Sequence, residues 1–273
     1  MASVPSQSTP RRLSPTGVTA LLAAVHVGPL LLGWQWGWPW AVGGLMAVGL
    51  SLAGCTIYPH CRVFGAATRR FPSATRSVIL TIDDGPGADT AEILQLLAAH
   101  GARAVFFLIG ERASQRPEAV RRILAAGHLV GNHTQTHAAY GYWSFPAWWQ
   151  RREVRQCQQT LTDITGQAPT LFRAPAGLRN PYCNLIAAEF GLAVTGWQTR
   201  GFDGVNTPLE RILARLRRGL CPGAIVLLHQ GLPHSPEVLR KVLEMLAAEG
   251  WTTTLPECWL SAPPSAGRPP ANY

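Results

Sequence analysis

The chain has 273 residues, 47% of them hydrophobic and 14% charged, and its formal net charge at pH 7 is +9. Arginines supply almost all of the positive charge, but they are scattered over predicted helix faces and accompany no nucleic-acid-binding motif. Attraction to anionic lipid headgroups therefore explains this charge better than nucleic-acid binding does. No internal repeat indicates a solenoid, and the six cysteines show no C-x-x-C spacing.

Two apolar stretches near the N-terminus predict a membrane segment. Between Arg12 and Arg62 the chain has no Asp, Glu, Lys or Arg, and the apolar stretches 18–33 and 41–57 flank a tryptophan-rich turn at 34–40. Each stretch is at the short end of the length that spans a bilayer. Tryptophans favour the membrane–water interface, which suits the tip of a helical hairpin.

We interpret residues 17–57 as a hairpin of two short transmembrane helices in the inner membrane. Arginines on both sides of it place the tail 1–16 and the basic juxtamembrane linker 58–76 on the cytoplasmic side, because positive charge marks that side. Three alternatives remain open. A single longer span would carry the rest of the chain across the membrane, a lipoprotein-processing box would anchor it outside through Cys55, and a buried two-helix subdomain would be soluble.

Strand and helix patterns alternate from residue 77 onward. Strands are predicted near 78–83, 103–109, 128–132, 169–174, 193–198, 224–229 and 251–254. Helices are predicted near 89–100, 114–126, 146–165, 180–190, 207–219 and 236–249. Repeated βα units predict a parallel sheet covered by helices, and polar groups at the strand ends predict a closed or nearly closed β/α barrel with its site at that edge. The tail 259–273 is rich in Pro, Ala and Gly and is predicted to be disordered.

Two acids and two histidines have the spacing of a metal site. Asp83 and Asp84 follow the apolar run 78–82, and His133 and His137 are four residues apart, so that a helix there would put both on one face. One carboxylate and two imidazoles can hold a divalent cation with an open coordination position. Zn²⁺ is the first choice, and Co²⁺ or another divalent ion is the alternative. The second carboxylate can then act as the base of a hydrolase.

Further polar residues follow later predicted strands. Arg173 stands where an apolar run stops, Trp197 and Asp203 bracket the end of the run 193–199, and His229 ends a run of aliphatic residues. The carboxyl ends of parallel strands meet at one edge of a sheet. We therefore expect these side chains to join the acids and the histidines.

The segments that carry these residues resemble the five sequence blocks of the polysaccharide deacetylase family, also called the NodB-homology family of carbohydrate esterases, and they occur in the same order. The resemblance covers residues 72 to about 258. It implies a distorted (β/α)₇ barrel, here preceded by the membrane hairpin, and a catalytic domain at 77–258. It also implies removal of N- or O-acyl groups from sugars with the help of a divalent metal.

The resemblance implies a role for each residue of the metal site. Asp84, His133 and His137 are similar to the metal ligands of the family, and Asp83 to its catalytic base. Arg173 is similar to the residue that pairs with this base.

It also implies the residues that complete the reaction. His229 resembles the general acid and Asp203 the carboxylate that orients it, so the pKa of His229 is expected to be raised. The backbone N–H of Ala176 is expected to stabilise the oxyanion. Leu227 and Trp197 are expected to line the substrate site, with Leu227 beside the acyl group.

Four positions depart from the family pattern. Ala176 and Gly204 stand where aromatic residues are usual, Gln230 replaces a frequent acid, and Ile82 replaces a frequent phenylalanine. None is a predicted catalytic side chain. The two lost aromatic rings predict a substrate groove that is more open than usual.

The sequence thus predicts a membrane-anchored hydrolase that removes an acetyl or formyl group from an amino sugar. The substrate would be a polysaccharide or a lipid-linked saccharide, with membrane lipids as further partners and no nucleic acid. One alternative is an outward-facing peptidoglycan or exopolysaccharide deacetylase. An alternative of another class is a non-catalytic carbohydrate-binding scaffold.

Overall fold

The computed structural model describes residues 15–58, 61–139, 141–205 and 207–260. The predicted tails at 1–16 and 259–273 therefore lie wholly or largely outside the described residues. The chain divides between Cys55 and Thr56 into two compact units.

The first unit contains two helices, α1 (Pro15–Trp36) and α2 (Trp38–Ile57). Gly37, with φ +98°, separates them, so the predicted tryptophan-rich turn is almost entirely helical. The helices approach each other closely where Gly44 faces Pro29, since a Cβ at Gly44 would lie 2.8 Å from the Cβ of Pro29. Among the described residues, α2 alone has the length and apolarity to cross a membrane, with a mean hydropathy of 1.7 and 6% of its most apolar window buried.

The second unit is built on a parallel sheet. Its strands are β1 (Ser77–Gly85), β2 (Ala104–Leu108), β3 (Leu129–Asn132), β4 (Leu171–Phe172), β5 (Ala193–Val194), β6 (Thr199–Arg200), β7 (Ala224–His229) and β8 (Thr252–Thr253). The order is β5-β4-β3-β2-β1-β7-β6, and β8 pairs with the start of β1. The helices that cover the sheet are α3 (Thr90–Ala99), α4 (Gly110–Gln115), α5 (Pro117–Ala125), α6 (Ala147–Thr165), α7 (Cys183–Glu189), α8 (Leu209–Gly219), α9 (Ser235–Ala248) and α10 (Glu257–Leu260).

The sheet is a distorted half-barrel and does not close. Instead of one strand at 193–198 there are two short strands, β5 at its start and β6 just beyond its end, and they stand at opposite ends of the sheet. Part of the segment 58–76 bridges the opening, because the N–H of Thr68 donates to the Val194 carbonyl at 2.9 Å and the N–H of Ile225 donates to the Arg69 carbonyl at 3.0 Å. The expectation of a closed or nearly closed barrel is thus corrected.

The predicted helix 114–126 is also interrupted, because it contains the end of α4 and the whole of α5. Arg116, between them, has φ −136° and precedes Pro117. A residue before proline is disfavoured in the helical region, and proline is well accommodated in the first turn of a helix. Pro117 therefore causes the break, although the apolar periodicity of the sequence continues across it.

Side chains alternate along β1 between two apolar clusters. Val78, Leu80 and Ile82 pack under the covering helices, whereas Ile79 points into the half-barrel with the interior residues of neighbouring strands. Asp83, two residues after Thr81 and four after Ile79, continues the interior face. The strand therefore delivers a carboxylate to the inside of the half-barrel at its carboxyl end.

Candidate metal centre and active site

A β-bulge brings Asp83 and Asp84 to the same place. Asp83 pairs with Phe107 and Gly85 pairs with Leu108, so Asp84 is an extra residue in β1. It has φ +69°, a left-handed conformation that suits a bulge. Without the bulge, consecutive side chains would point to opposite faces. With it, carboxylate oxygens of Asp83 and Asp84 lie 3.7 and 3.5 Å from Nε2 of His133.

His133 and His137 converge through a turn and not through a helix, which corrects the helical alternative for the i, i+4 pair. Thr134 and His137 have φ values of +69° and +53°. The turn is held by Asn132, whose Oδ1 accepts the N–H of Thr134 at 3.0 Å, and by the Thr134 hydroxyl, which accepts the N–H of His137 at 3.2 Å. The two imidazole rings are 4.7 Å apart between centroids.

Asp84, His133 and His137 form a set of donors that fits a divalent cation. One ligand atom from each lies within 4.8 Å of the others. Oδ1 of Asp84 is buried and has no hydrogen-bond partner among the described residues, although Nε2 of His137 is 3.2 Å away. Nδ1 of His133 is 2.8 Å from the Arg173 carbonyl, which leaves Nε2 directed at Asp84.

The charges of the three residues also suit metal binding. Burial and the neighbouring His133 lower the pKa of His137 to about 4. Burial by itself would raise the pKa of Asp84, but the neighbouring rings of His133 and His137 hold it well below its usual range. Neutral imidazole and ionised carboxylate are the forms that bind metal.

Arg173 fixes Asp83 from the interior of the half-barrel. Its Nη1 donates to Oδ1 of Asp83 at 2.6 Å and to the Thr81 hydroxyl at 2.8 Å, and its Nη2 donates to the Gly196 carbonyl at 2.8 Å. The guanidinium lies 4.2 Å from the ring centroid of Phe107. Asp83 and Arg173 are 3% and 1% exposed, so the pair is shielded from water. Asp83 is thereby held in one orientation, with its other oxygen toward His133.

Asp203 binds His229 through both carboxylate oxygens. Oδ1 is 3.1 Å from Nδ1 of His229, and Oδ2 accepts the backbone N–H of the same residue at 2.7 Å. Burial would lower the pKa of His229, but the hydrogen bond and charge of Asp203 raise it to about 9. The expected direction of this shift is confirmed. Gly204 lies against the same ring, since a Cβ there would be 3.3 Å from Nδ1.

The residues predicted to bind the oxyanion or the substrate, Ala176, Leu227 and Trp197, lie in different surroundings. Ala176 has φ +53° in a short turn, Pro175–Gly177, after β4. Leu227 and Trp197 are 2% and 5% exposed and pack in the inner apolar cluster. Their predicted contact with an acyl group stays a prediction.

Sequence reasoning missed two residues that hold the segments carrying the candidate metal ligands. Nη1 of Arg112 donates to the Asp84 carbonyl at 2.5 Å. Glu153, 3% exposed, accepts both the N–H and the hydroxyl of Thr136 through Oε2, at 2.8 and 3.0 Å. Glu153 could have been found, because it falls on the buried stripe of α6 with Val154. Nothing in the sequence around Arg112 signals its contact.

Comparison with known proteins agrees with this geometry. Residues 72–195 match the family model described as polysaccharide deacetylase. A chitooligosaccharide deacetylase from Bradyrhizobium sp. (strain ANU 289) is 38% identical over 167 residues, which cover 60% of this chain and 75% of that protein. The chain belongs to the polysaccharide deacetylase family.

Two solved structures share this fold. The Bc1960 peptidoglycan N-acetylglucosamine deacetylase has a TM-score of 0.65 and 28% identity, over 72% of this chain and 93% of that one. BA3943 from Bacillus anthracis, described as a CE4 family pseudoenzyme, has a TM-score of 0.63 and 26% identity, over 69% of this chain and 68% of that one. The protein is accordingly a carbohydrate deacetylase, and its family is one of metal-dependent hydrolases.

Proposed function

We propose that this deacetylase removes an N-acyl group, acetyl or formyl, from an amino sugar in a polysaccharide or a lipid-linked saccharide at the membrane. One observation carries the catalytic part of the proposal. Two ion pairs flank one group of proposed metal ligands: in one, Arg173 holds the carboxylate of Asp83, and in the other, the carboxylate of Asp203 holds the ring of His229. Metal binding alone does not require an acid–base pair.

In the proposed reaction, Asp84, His133 and His137 hold the cation and Asp83 accepts a proton from the attacking water. A bound divalent cation, with Zn²⁺ as the first choice, would polarise the acyl carbonyl and activate water. The tight contact with Arg173 keeps the carboxylate of Asp83 from rotating away.

His229 supplies the proton that the leaving amine needs. Asp203 fixes the ring by bonding Nδ1 and the backbone N–H, which leaves Nε2 as the atom that can donate. With a pKa of about 9, the ring carries this proton at neutral pH. The backbone N–H of Ala176 is the proposed donor to the oxyanion.

The membrane part of the proposal rests on the first unit. The side chains of Trp34, Trp36, Trp38 and Trp40 are 92, 63, 76 and 63% exposed. Such rings favour the bilayer interface, and arginines lie on both sides of the apolar segment. We propose an integral inner-membrane protein with its catalytic unit on the cytoplasmic face. An outward orientation toward peptidoglycan or exopolysaccharide is the alternative.

The names of the relatives suggest the first substrates to test. Detergent-purified protein loaded with Zn²⁺ would be incubated with N-acetylated chitooligosaccharides, peptidoglycan and lipid extracts of the host, with Asp83→Asn as the matched control. Acetate or formate released by the wild type alone would support the proposal and identify the substrate fraction. Equal release by wild type and variant would remove Asp83 as the base, and no release from any fraction with metal bound would favour the non-catalytic scaffold.

A further inference from the structure

One face of the second unit combines exposed apolar side chains with arginines. It is formed by three segments, residues 61–66, 141–152 and 174–188, which we call the arginine–tryptophan face. Val63, Trp143 and Trp148 on it are 70, 36 and 64% exposed. Exposing tryptophan side chains to water is unfavourable, so a face that carries two of them indicates a binding surface.

Buried polar side chains join the segments into one surface. Arg179, only 5% exposed, donates from Nη2 to the Cys61 carbonyl at 2.7 Å and from Nη1 to the Gly65 carbonyl at 2.9 Å. The next residue, Asn180, donates from Nδ2 to the Trp143 carbonyl at 3.0 Å. The segment that follows α2 in the chain is thereby attached to the loop that follows Ala176.

The exposed charge of this face is positive. Its three segments contain no Asp or Glu, and of their arginines Arg62 and Arg152 are exposed, Arg151 is partly exposed and Arg179 is buried. The adjoining Glu189 is paired with Arg151 at 2.6 Å. Trp148 and Arg152 are four residues apart in α6 and both exposed, so they are neighbours on one side of that helix.

We propose that the arginine–tryptophan face docks on the surface of an anionic lipid bilayer. Tryptophan is favoured at the bilayer interface, and arginine is attracted to anionic headgroups. The inference rests on the membrane segment of the proposed function, because a spanning helix delivers the residues after it to the bilayer surface. Since Ala176 belongs to the face, docking presents this side of the active site to the headgroups. The favoured substrate class is then an amino sugar carried by a lipid.

The test uses full-length protein in nanodiscs of phosphatidylcholine alone or of an equimolar mixture with phosphatidylglycerol. Hydrogen–deuterium exchange is measured at residues 61–66 and 141–149, with α8 as an internal reference. We expect slower exchange of both segments in the anionic nanodiscs and no change in α8. Arg152→Gln should reduce this extra protection by about fivefold, the loss expected for one arginine at an anionic surface. Arg211→Gln, an exposed arginine of α8, is the matched control and should leave it unchanged.

Equal exchange in the two lipids, or equal effects of Arg152→Gln and Arg211→Gln, would overturn the docking surface. Protection that depends on protein concentration and not on lipid charge would also overturn it, in favour of a second copy of the chain.

A kinetic measurement separates this inference from the proposed function. Trp148→Ser should raise KM several-fold for a lipid-linked N-acetylglucosamine in phosphatidylglycerol vesicles and leave KM for a soluble chitooligosaccharide unchanged. Equal KM changes for both substrates would count against docking. A protein that hydrolyses neither substrate but shows lipid-dependent protection would keep the docking surface and remove the proposed reaction.

Discussion

Asp83 and His229 occupy the same register position on the adjacent parallel strands β1 and β7. Each is held by an oppositely charged residue from elsewhere in the half-barrel, Asp83 by Arg173 and His229 by Asp203. The proposed base and the proposed acid therefore stand side by side at one sheet edge. Because the two residues have different partners, the proposed base can be mutated without disturbing the proposed acid, and the reverse.

The first prediction concerns the metal ligands and the base. Asp84→Ala should lose both Zn²⁺ and activity, because it removes a buried ligand oxygen. Asp83→Asn should retain Zn²⁺ and lose turnover by about 10²–10⁴, the usual contribution of a general base. Metal content by mass spectrometry and kcat on the same preparations would check this. Full metal content in Asp84→Ala would contradict the ligand assignment, and chelation followed by Zn²⁺ should restore the wild type.

The second prediction concerns pH. His229 donates only while protonated, so kcat/KM should fall as the pH rises through about 9. Asp203→Asn removes the charge that helps to raise this pKa and weakens the hydrogen bond, so the fall should move toward 6.5, the ordinary value for histidine. A pH–rate profile of both proteins with one soluble substrate measures the shift. An alkaline limb at the same pH in both would assign it to another group.

The same pKa has a consequence for stability. A folded-state pKa raised above the ordinary value means that His229 binds its proton more tightly in the native protein. Its contribution to stability is complete below pH 6.5 and is lost as the pH rises through about 9. Urea unfolding across this range should show a smaller loss for Asp203→Asn than for the wild type.

The third prediction concerns the buried pair of Arg173 and Asp83. Arg173→Ala leaves a carboxylate that is 3% exposed without its partner, which should cost about 3–5 kcal/mol of unfolding free energy. Thr81→Val removes one hydrogen bond to the same guanidinium and one to the Val226 carbonyl, and should cost less, about 1–3 kcal/mol. Urea denaturation monitored by circular dichroism would measure both. Similar small losses in the two variants would mean that the ion pair is not important for folding.

The fourth prediction concerns the turn that carries His137. Glu153→Ala removes the acceptor of the N–H and hydroxyl of Thr136, so the turn should lose its order. Zn²⁺ affinity should fall about 10–100-fold, as for other residues that orient metal ligands. Chelator competition measures this, with Gln159→Ala on the exposed side of α6 as the control. Unchanged affinity in Glu153→Ala would remove Glu153 from the support of the site.

The sequence by itself determined the order of strands and helices, the apolar N-terminal segment and the residue types of the site. These follow from local physical chemistry, because apolar periodicity and strand-end polar residues are visible along the chain. The pairing of His229 with Asp203, expected from the family resemblance, is present in the structure.

The tertiary structure alone decided how those residues meet. The left-handed bulge at Asp84 depends on pairing with β2, and the turn at His137 depends on the contact of Thr136 with Glu153, so each joins residues that lie far apart in sequence. The open half-barrel depends on the split between β5 and β6, where hydrogen bonds from distant segments divide a stretch that the sequence predicts as one strand. Long-range hydrogen bonding has no local signature, so these features could not be predicted from the sequence.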